Sequence, residues 1–243
     1  MTCRRRAHAY LARMYTVDTL IDWYREYAPD LRTAREEQRE LLAQRPMHPK
    51  LDDIEAEVCY LTVRALRPHT VVEIGSFHGW STSWLLRALR DNGDGVLYTY
   101  DRLDHAARTL PDELTSTRWR FTHGDVRATE LPDNPGFVLV DALHTAGFAR
   151  WYTAALLDRL KPGVAVGVHD VFHGRCPWPN SEGAVLLRWL RARGLGYLTA
   201  ARRADPDLRD HLLGVKRRLR ISAPVHSGSH DPMAFFGTAE VVQ

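Results

Sequence analysis

From Thr70 onward, short apolar runs alternate with stretches in which apolar residues return every three or four positions. The runs are Thr70-Val-Val-Glu-Ile74, Val96-Leu-Tyr-Thr-Tyr-Asp101, Arg118 to Thr122, Phe137-Val-Leu-Val-Asp141 and Val164-Ala-Val-Gly-Val168. Such runs, bounded by glycine, proline or acidic turns, predict buried strands. Between them, the 3.6-residue period predicts helices over Trp84–Leu89, Ala146–Leu160 and Glu182–Arg193, with a short one near Asp104–Leu110. Gly196-Tyr-Leu-Thr-Ala200 reads as a sixth strand, Leu208–Leu219 as a helix, and Met233-Ala-Phe-Phe236 as a last strand. Alternation of strand and helix predicts a parallel sheet covered on both faces.

Residues 1 to 69 contain no strand pattern. Val17–Tyr27 and Leu31–Gln44 read as helices, the second polar on most faces and so expected at the surface, over a cleft or at a dimer contact. Leu51, Ile54, Val58, Leu61 and Ala65 mark an amphipathic helix that ends before Pro68. The expected division is an N-terminal helical appendage over 1–49 and an α/β domain over 50–243.

The chain has 243 residues, 44% hydrophobic and 26% charged, as expected of an ordinary globular protein. Its net charge of +3 gives no basic excess for nucleic acid, and the Arg4–Arg6 and Lys216–Arg218 clusters are short. Cys3, Cys59 and Cys176 are far apart and fit neither a disulfide framework nor a zinc pattern, which suits a reducing cytoplasm. No signal peptide or membrane span is expected, because no apolar run approaches the required length.

The chemistry gathers at the strand ends. Thr70 to Thr82 runs strand, acid, then Gly75 and Gly79, with hydroxyls at Ser76, Ser81 and Thr82. Glycines there let backbone approach a ligand, and the following helix presents N–H groups to an anionic group. The spacing differs from the dinucleotide fingerprint. Acids also end or follow the other runs, at Asp101, Asp125, Asp141 and Asp170. Ligands of open α/β sheets bind beyond the carboxyl ends of the strands. Five acids along that edge describe a site for a ligand with hydroxyls and positive charge, with a metal beside it.

Glu73 to Thr82, Tyr98 to Asp101, Gly124-Asp125-Val126 and Leu160-Lys-Pro-Gly163 together resemble, in order, the motifs of the class I S-adenosylmethionine-dependent methyltransferases. The resemblance implies a Rossmann-like sheet of seven strands, the last antiparallel, the closing one at Asp231–Phe236. It implies a cofactor site of Glu73, Gly75, Ser76, Gly79, Ser81, Thr82, Asp101, Arg102, Asp125, Val126 and Asp141. Asp101 would accept from the ribose hydroxyls, and Asp125 and Val126 would meet the adenine.

Val140-Asp141-Ala-Leu-His144 with Val168-His169-Asp170 is similar to the branch of catechol-type and metal-dependent sugar O-methyltransferases. That resemblance implies a divalent metal at Asp141, His169 and Asp170, with His144 as base. His169 departs from the branch's usual carboxylate or amide. Magnesium prefers oxygen ligands, so a histidine ligand turns the site toward manganese, iron or zinc. In the alternative, His169 does not ligate and the metal is lost.

The expected reaction is methyl transfer to a hydroxyl of a small sugar, polyhydroxylated or phenolic acceptor. His144 and Asp141 are the catalytic pair, with His169 and His173 as substitute bases. Phe148, Phe172, Trp178 and Trp80 are candidate acceptor walls. Other readings are metal-independent N- or C-methylation and a cofactor-binding protein without transfer activity. The near-neutral charge counts against RNA methylation.

Overall fold

The computed structural model describes residues 14–226 and 232–238. Cys3, Arg4–Arg6 and Asp231 lie outside the described residues. Three helices come first: α1 (Val17–Glu26), α2 (Ala28–Gln44) and α3 (Asp53–Leu66). Each start follows from local chemistry. The Thr16 side chain caps α1, Pro29 opens the first turn of α2, and Asp52 and Glu55 form a capping box on α3.

The α/β part follows as β1 (Thr70–Ile74), α4 (Trp80–Asn92), β2 (Val96–Asp101), two short helices α5 (His105–Thr109) and α6 (Asp112–Thr115), then β3 (Trp119–His123). It continues with β4 (Phe137–Val140), α7 (Ala146–Ala155), β5 (Ala165–Val168), α8 (Glu182–Ala192), α9 (Pro206–Arg218) and β6 (Ala234–Gly237). The sheet order is β3-β2-β1-β4-β5-β6, with β6 antiparallel to β5 and the other pairs parallel. The order reverses between β1 and β4, where open sheets form their ligand crevice.

The seven strands implied by the resemblance are corrected to six among the described residues. The segment 196–200 makes one antiparallel bridge, Leu198 to Phe235, and no ladder. Beyond it, the Thr199 hydroxyl donates to the Met233 carbonyl at 2.6 Å and accepts from the Ala201 N–H. A side chain that takes the neighbouring strand's acceptor competes with backbone pairing. The closing strand at 234–237 is antiparallel, as expected.

Successive β1 residues face opposite layers. Val71 joins a cluster with α1 to α4 and α9, whereas Val72 and Ile74 join one with α7 and α8. The N-terminal helices therefore share a core with the sheet. The polar face of α2, expected at the surface, is partly buried. Arg35 and Gln38 are inaccessible, and Arg35, Arg39 and Arg32 bond to carbonyls between 219 and 224. Among the described residues, no helix is long and apolar enough to cross a membrane.

The buried charge of Arg35 has a partner in Glu57 on α3. Glu57 also accepts from the Tyr24 hydroxyl and the Lys216 ammonium, each at 2.8 Å. One carboxylate thus ties α1, α2, α3 and α9 together. Removing one member of a buried charge group leaves the others uncompensated. Glu57→Ala is expected to lower unfolding stability by about 3–5 kcal/mol in urea titration. A loss within ~0.5 kcal/mol, ordinary for a surface substitution, would contradict this role.

Candidate functional site

Five parallel strands end along one edge, and the loops beyond them enclose a cavity of about 610 Å³. That volume suits a cofactor-sized molecule. Its floor is the turn after β1. Gly75 there has φ of +88°, and a Cβ would lie 2.0 Å from the Asp141 carbonyl oxygen. Only glycine allows that approach. Gly79 caps α4 at φ +84°, packed on Leu110.

Of the residues expected at the cofactor, Gly75, Asp101, Arg102, Asp125, Val126 and Asp141 line the cavity. Asp101 accepts the Ser76 and Phe77 N–H groups at 2.7 and 2.8 Å through one oxygen and the Leu103 N–H at 2.8 Å through the other. These bonds fix its carboxylate at the edge of β2. Arg127 binds Asp125 through both oxygens and holds its pKa down at about 2.

Glu73, Ser76, Gly79, Ser81 and Thr82 are not among the lining residues. Ser76 is turned onto Asp101. Glu73 is fully buried and accepts from the Ser81, Thr82 and Thr99 hydroxyls at 2.5, 2.7 and 2.9 Å. Ser81 and Thr82, expected at the cofactor, thus turn their hydroxyls to Glu73 instead. A buried acid is costly without such donors.

The second half of the cavity holds Asp141, His144, His169 and Asp170. Oxygen and nitrogen donors of Asp141, His144 and His169 all lie within 4.8 Å of one another. Asp170 adjoins them, 3.2 Å from His144 Nε2 and 3.5 Å from His169 Nδ1. The backbone is left-handed at Phe77, Leu143, His144 and Asp170, all non-glycine residues on the cavity wall. Such strain, of order 1–3 kcal/mol each, collects at functional sites.

His169 is 6% exposed. Its Nδ1 lies 3.0 Å from Asp141, and its Nε2 lies 3.5 Å from Glu55, yet neither nitrogen makes an aligned hydrogen bond. Burial alone would strip the proton from His169, but Asp141 and Glu55 more than offset it and push the pKa well up. His144 shows the same balance. Burial acts to lower its pKa, and Glu182, Asp170 and Asp141 raise it overall.

His169 Nδ1, buried without a hydrogen-bond partner beside Asp141 and Asp170, fits a divalent cation of the transition series. Asp141, His169 and Asp170 are the residues that would hold it, with His144 within reach. The same surroundings also fit a protonated His169 clamped between two acids.

Phe148 lines the cavity. Trp178 is 68% exposed, with its ring tilted at 40° to that of His173, and Phe172 is buried against Tyr197. Trp80 is corrected as an acceptor wall, since it is buried and donates to the Leu51 carbonyl. His173 reaches Asp170 only at 3.8 Å, and the His78 ring faces the Pro46 carbonyl. Lys50, Glu55 and Glu182 are parts of the site that sequence reading missed. Glu55 and Glu182 stand in first helical turns, where acids are ordinary. Lys50 lies in a loop with no motif.

A family model described as a methyltransferase domain matches residues 72–171. No curated protein matches the sequence. Among solved structures, the chain is similar to the O-methyltransferase TomG from Streptomyces achromogenes, involved in tomaymycin synthesis and solved with S-adenosylmethionine. The TM-score is 0.56 at 19% identity, covering 87% of this chain and 90% of that one. It is also similar to an O-methyltransferase from Bacillus cereus solved with S-adenosylhomocysteine, with TM-score 0.56, 16% identity and coverage of 84% and 90%. A Podospora anserina methyltransferase gives 0.51 at 20% identity, covering 68% and 82%. At these identities the likeness speaks for the fold.

The inward turn of Glu73 has a measurable consequence. Burial, opposed by the three hydroxyls, raises its pKa from 4.5 to about 7. The folded state therefore binds the proton more tightly than the unfolded chain. The resulting stability is present in full below pH 4.5 and is lost as pH rises through about 7, to a total of about 3 kcal/mol. Urea unfolding between pH 5 and 8 should show this decline in the native protein and a flatter profile in Glu73→Gln. Parallel profiles would contradict the assignment.

Proposed function

We propose that this chain, a class I S-adenosylmethionine-dependent methyltransferase, moves the sulfonium methyl to a hydroxyl of a small phenolic, sugar or other polyhydroxylated molecule. The observation that carries this reading is the joining of two half-sites in one cavity. Gly75, Asp101, Arg102, Asp125 and Val126 form the donor half, where Asp101 accepts from ribose hydroxyls and Asp125 and Val126 meet the adenine. Asp141, His144, His169 and Asp170 form the acceptor half.

Transfer is an in-line displacement, so most of the gain comes from aligning acceptor oxygen, methyl carbon and sulfur. A neutral hydroxyl is a weak nucleophile. His144 Nε2, turned toward Asp141 and Asp170, is the group that takes its proton. The same acids stabilise the imidazolium that results. A divalent cation held by Asp141, His169 and Asp170 would lower the pKa of the acceptor hydroxyl. A second, metal-independent reading is favoured by one observation: His169 is buried with a carboxylate on each side, Asp141 at 3.0 Å and Glu55 at 3.5 Å, an arrangement that suits an imidazolium without a metal. Trp178 and His173, exposed at the loop after β5, offer an aromatic surface for an acceptor ring.

Incubation with S-adenosylmethionine and a panel of catechols, flavonoids and nucleotide-free sugars tests the reaction, with S-adenosylhomocysteine release as readout. At least one hydroxylated acceptor should be methylated. His144→Ala should lower kcat by ~10²–10⁴ with unchanged S-adenosylhomocysteine affinity. Full activity in His144→Ala would remove it as the base. Loss of activity on chelation and its return with manganese would support the metal, whereas activity indifferent to chelator and to Asp170→Ala would favour the metal-independent reading.

A further inference from the structure

We propose that Glu182 is the positioning residue of His144, fixing which ring nitrogen faces the acceptor. This rests on the role of His144 proposed above. Glu182 opens α8, after the Ser181 cap, and only 2% of it is exposed. Its Oε2 lies 3.2 Å from His144 Nδ1. The other ring nitrogen, Nε2, lies 3.2 Å from Asp170 and 3.5 Å from Asp141, both on the cavity wall.

The three acids around this imidazole are not equivalent. Glu182 is at 2% side-chain exposure, against 12% for Asp141 and 23% for Asp170. Charge-assisted hydrogen bonds gain strength as water is excluded. Glu182, the acid most sheltered from water, therefore holds the ring proton on Nδ1. Nε2 is the nitrogen left with a lone pair, beside the two acids of the cavity wall. This is the division of labour in which one acid holds a histidine's tautomer while the opposite nitrogen does chemistry.

A second feature separates Glu182 from an ordinary helix-start acid. Its Oε1 is buried beside the Tyr152 hydroxyl on α7, and neither atom is turned to a backbone group. A capping acid would spend its oxygens on backbone N–H groups, and the cap here is made by Ser181. Glu182 bears instead on His144.

During transfer, the acceptor oxygen forms its bond to the methyl carbon as the carbon–sulfur bond breaks. The bonding pair leaves with sulfur, which becomes a neutral thioether. The acceptor proton passes to His144 Nε2, and the imidazolium, still bonded through Nδ1–H, is stabilised by the Glu182 carboxylate.

Histidine-selective 15N NMR tests this without an acceptor. His144→Gln assigns the signal, and spectra at high pH report the neutral ring. The native protein should carry the Nδ1–H form. Glu182→Ala should move His144 toward the Nε2–H form, and Glu182→Gln, which keeps an accepting oxygen, should retain Nδ1–H. An Ala variant that keeps the native tautomer, or a Gln variant that matches Ala, would overturn the proposal. Binding of S-adenosylhomocysteine by both variants within about 2-fold of native would show that the fold and donor half are intact. Failure of the native protein to bind it would sink the methyltransferase reading instead, and the tautomer result would stand apart from it. With any acceptor that is turned over, the Glu182→Ala/His144→Ala pair should be no slower than His144→Ala alone.

Discussion

The contact between Gly75 and the Asp141 carbonyl fixes the geometry on which the site depends. The turn after β1 passes so close to the end of β4 that no Cβ fits between them. The same turn donates from Gly75 N–H to the Tyr100 carbonyl at 2.8 Å, and Asp141 N–H donates to Ile74 at 2.8 Å. Three strand ends are therefore locked at one level. Asp101 and Asp141, which leave β2 and β4 there, are held on opposite sides of the turn. Without that approach, the acids would still exist in sequence but would not share a cavity.

Around this lock the chain uses buried acids for two purposes. Glu57 and Glu73 are structural, one binding the N-terminal helices to α9 and the other closing β1 onto α4 and β2. Glu182 lies behind His144, and Glu55 behind His169. The N-terminal layer is thereby part of the site's support, since Glu55 sits on α3 and also accepts the Met233 N–H at 2.9 Å. A substitution in that layer would be felt at His169.

Much of the fold was legible because apolar runs, glycine turns and 3.6-residue periods marked β1 to β5 and most helices. The segment 196–200 looked like a strand, but a single Thr199 side chain ended its pairing after one bridge. In the site, the acids at strand ends were legible because open sheets place ligands there. The partners of those acids were not. Glu73 looked like a ligand contact until the register set Thr99 directly beside it. Glu55 and Glu182 look like helix-start acids in sequence, and only tertiary packing brings them behind His169 and His144. The polar face of α2 read as solvated, yet Glu57 draws Arg35 inward.

The proposed donor site is the glycine-bounded cavity at the strand ends. Isothermal titration of S-adenosylhomocysteine into the native protein and into Gly75→Val puts it to the test. The native chain should bind one molecule, and Gly75→Val, folded by circular dichroism, should bind none. Absence of binding by the native chain, or equal binding by a folded Gly75→Val, would contradict it.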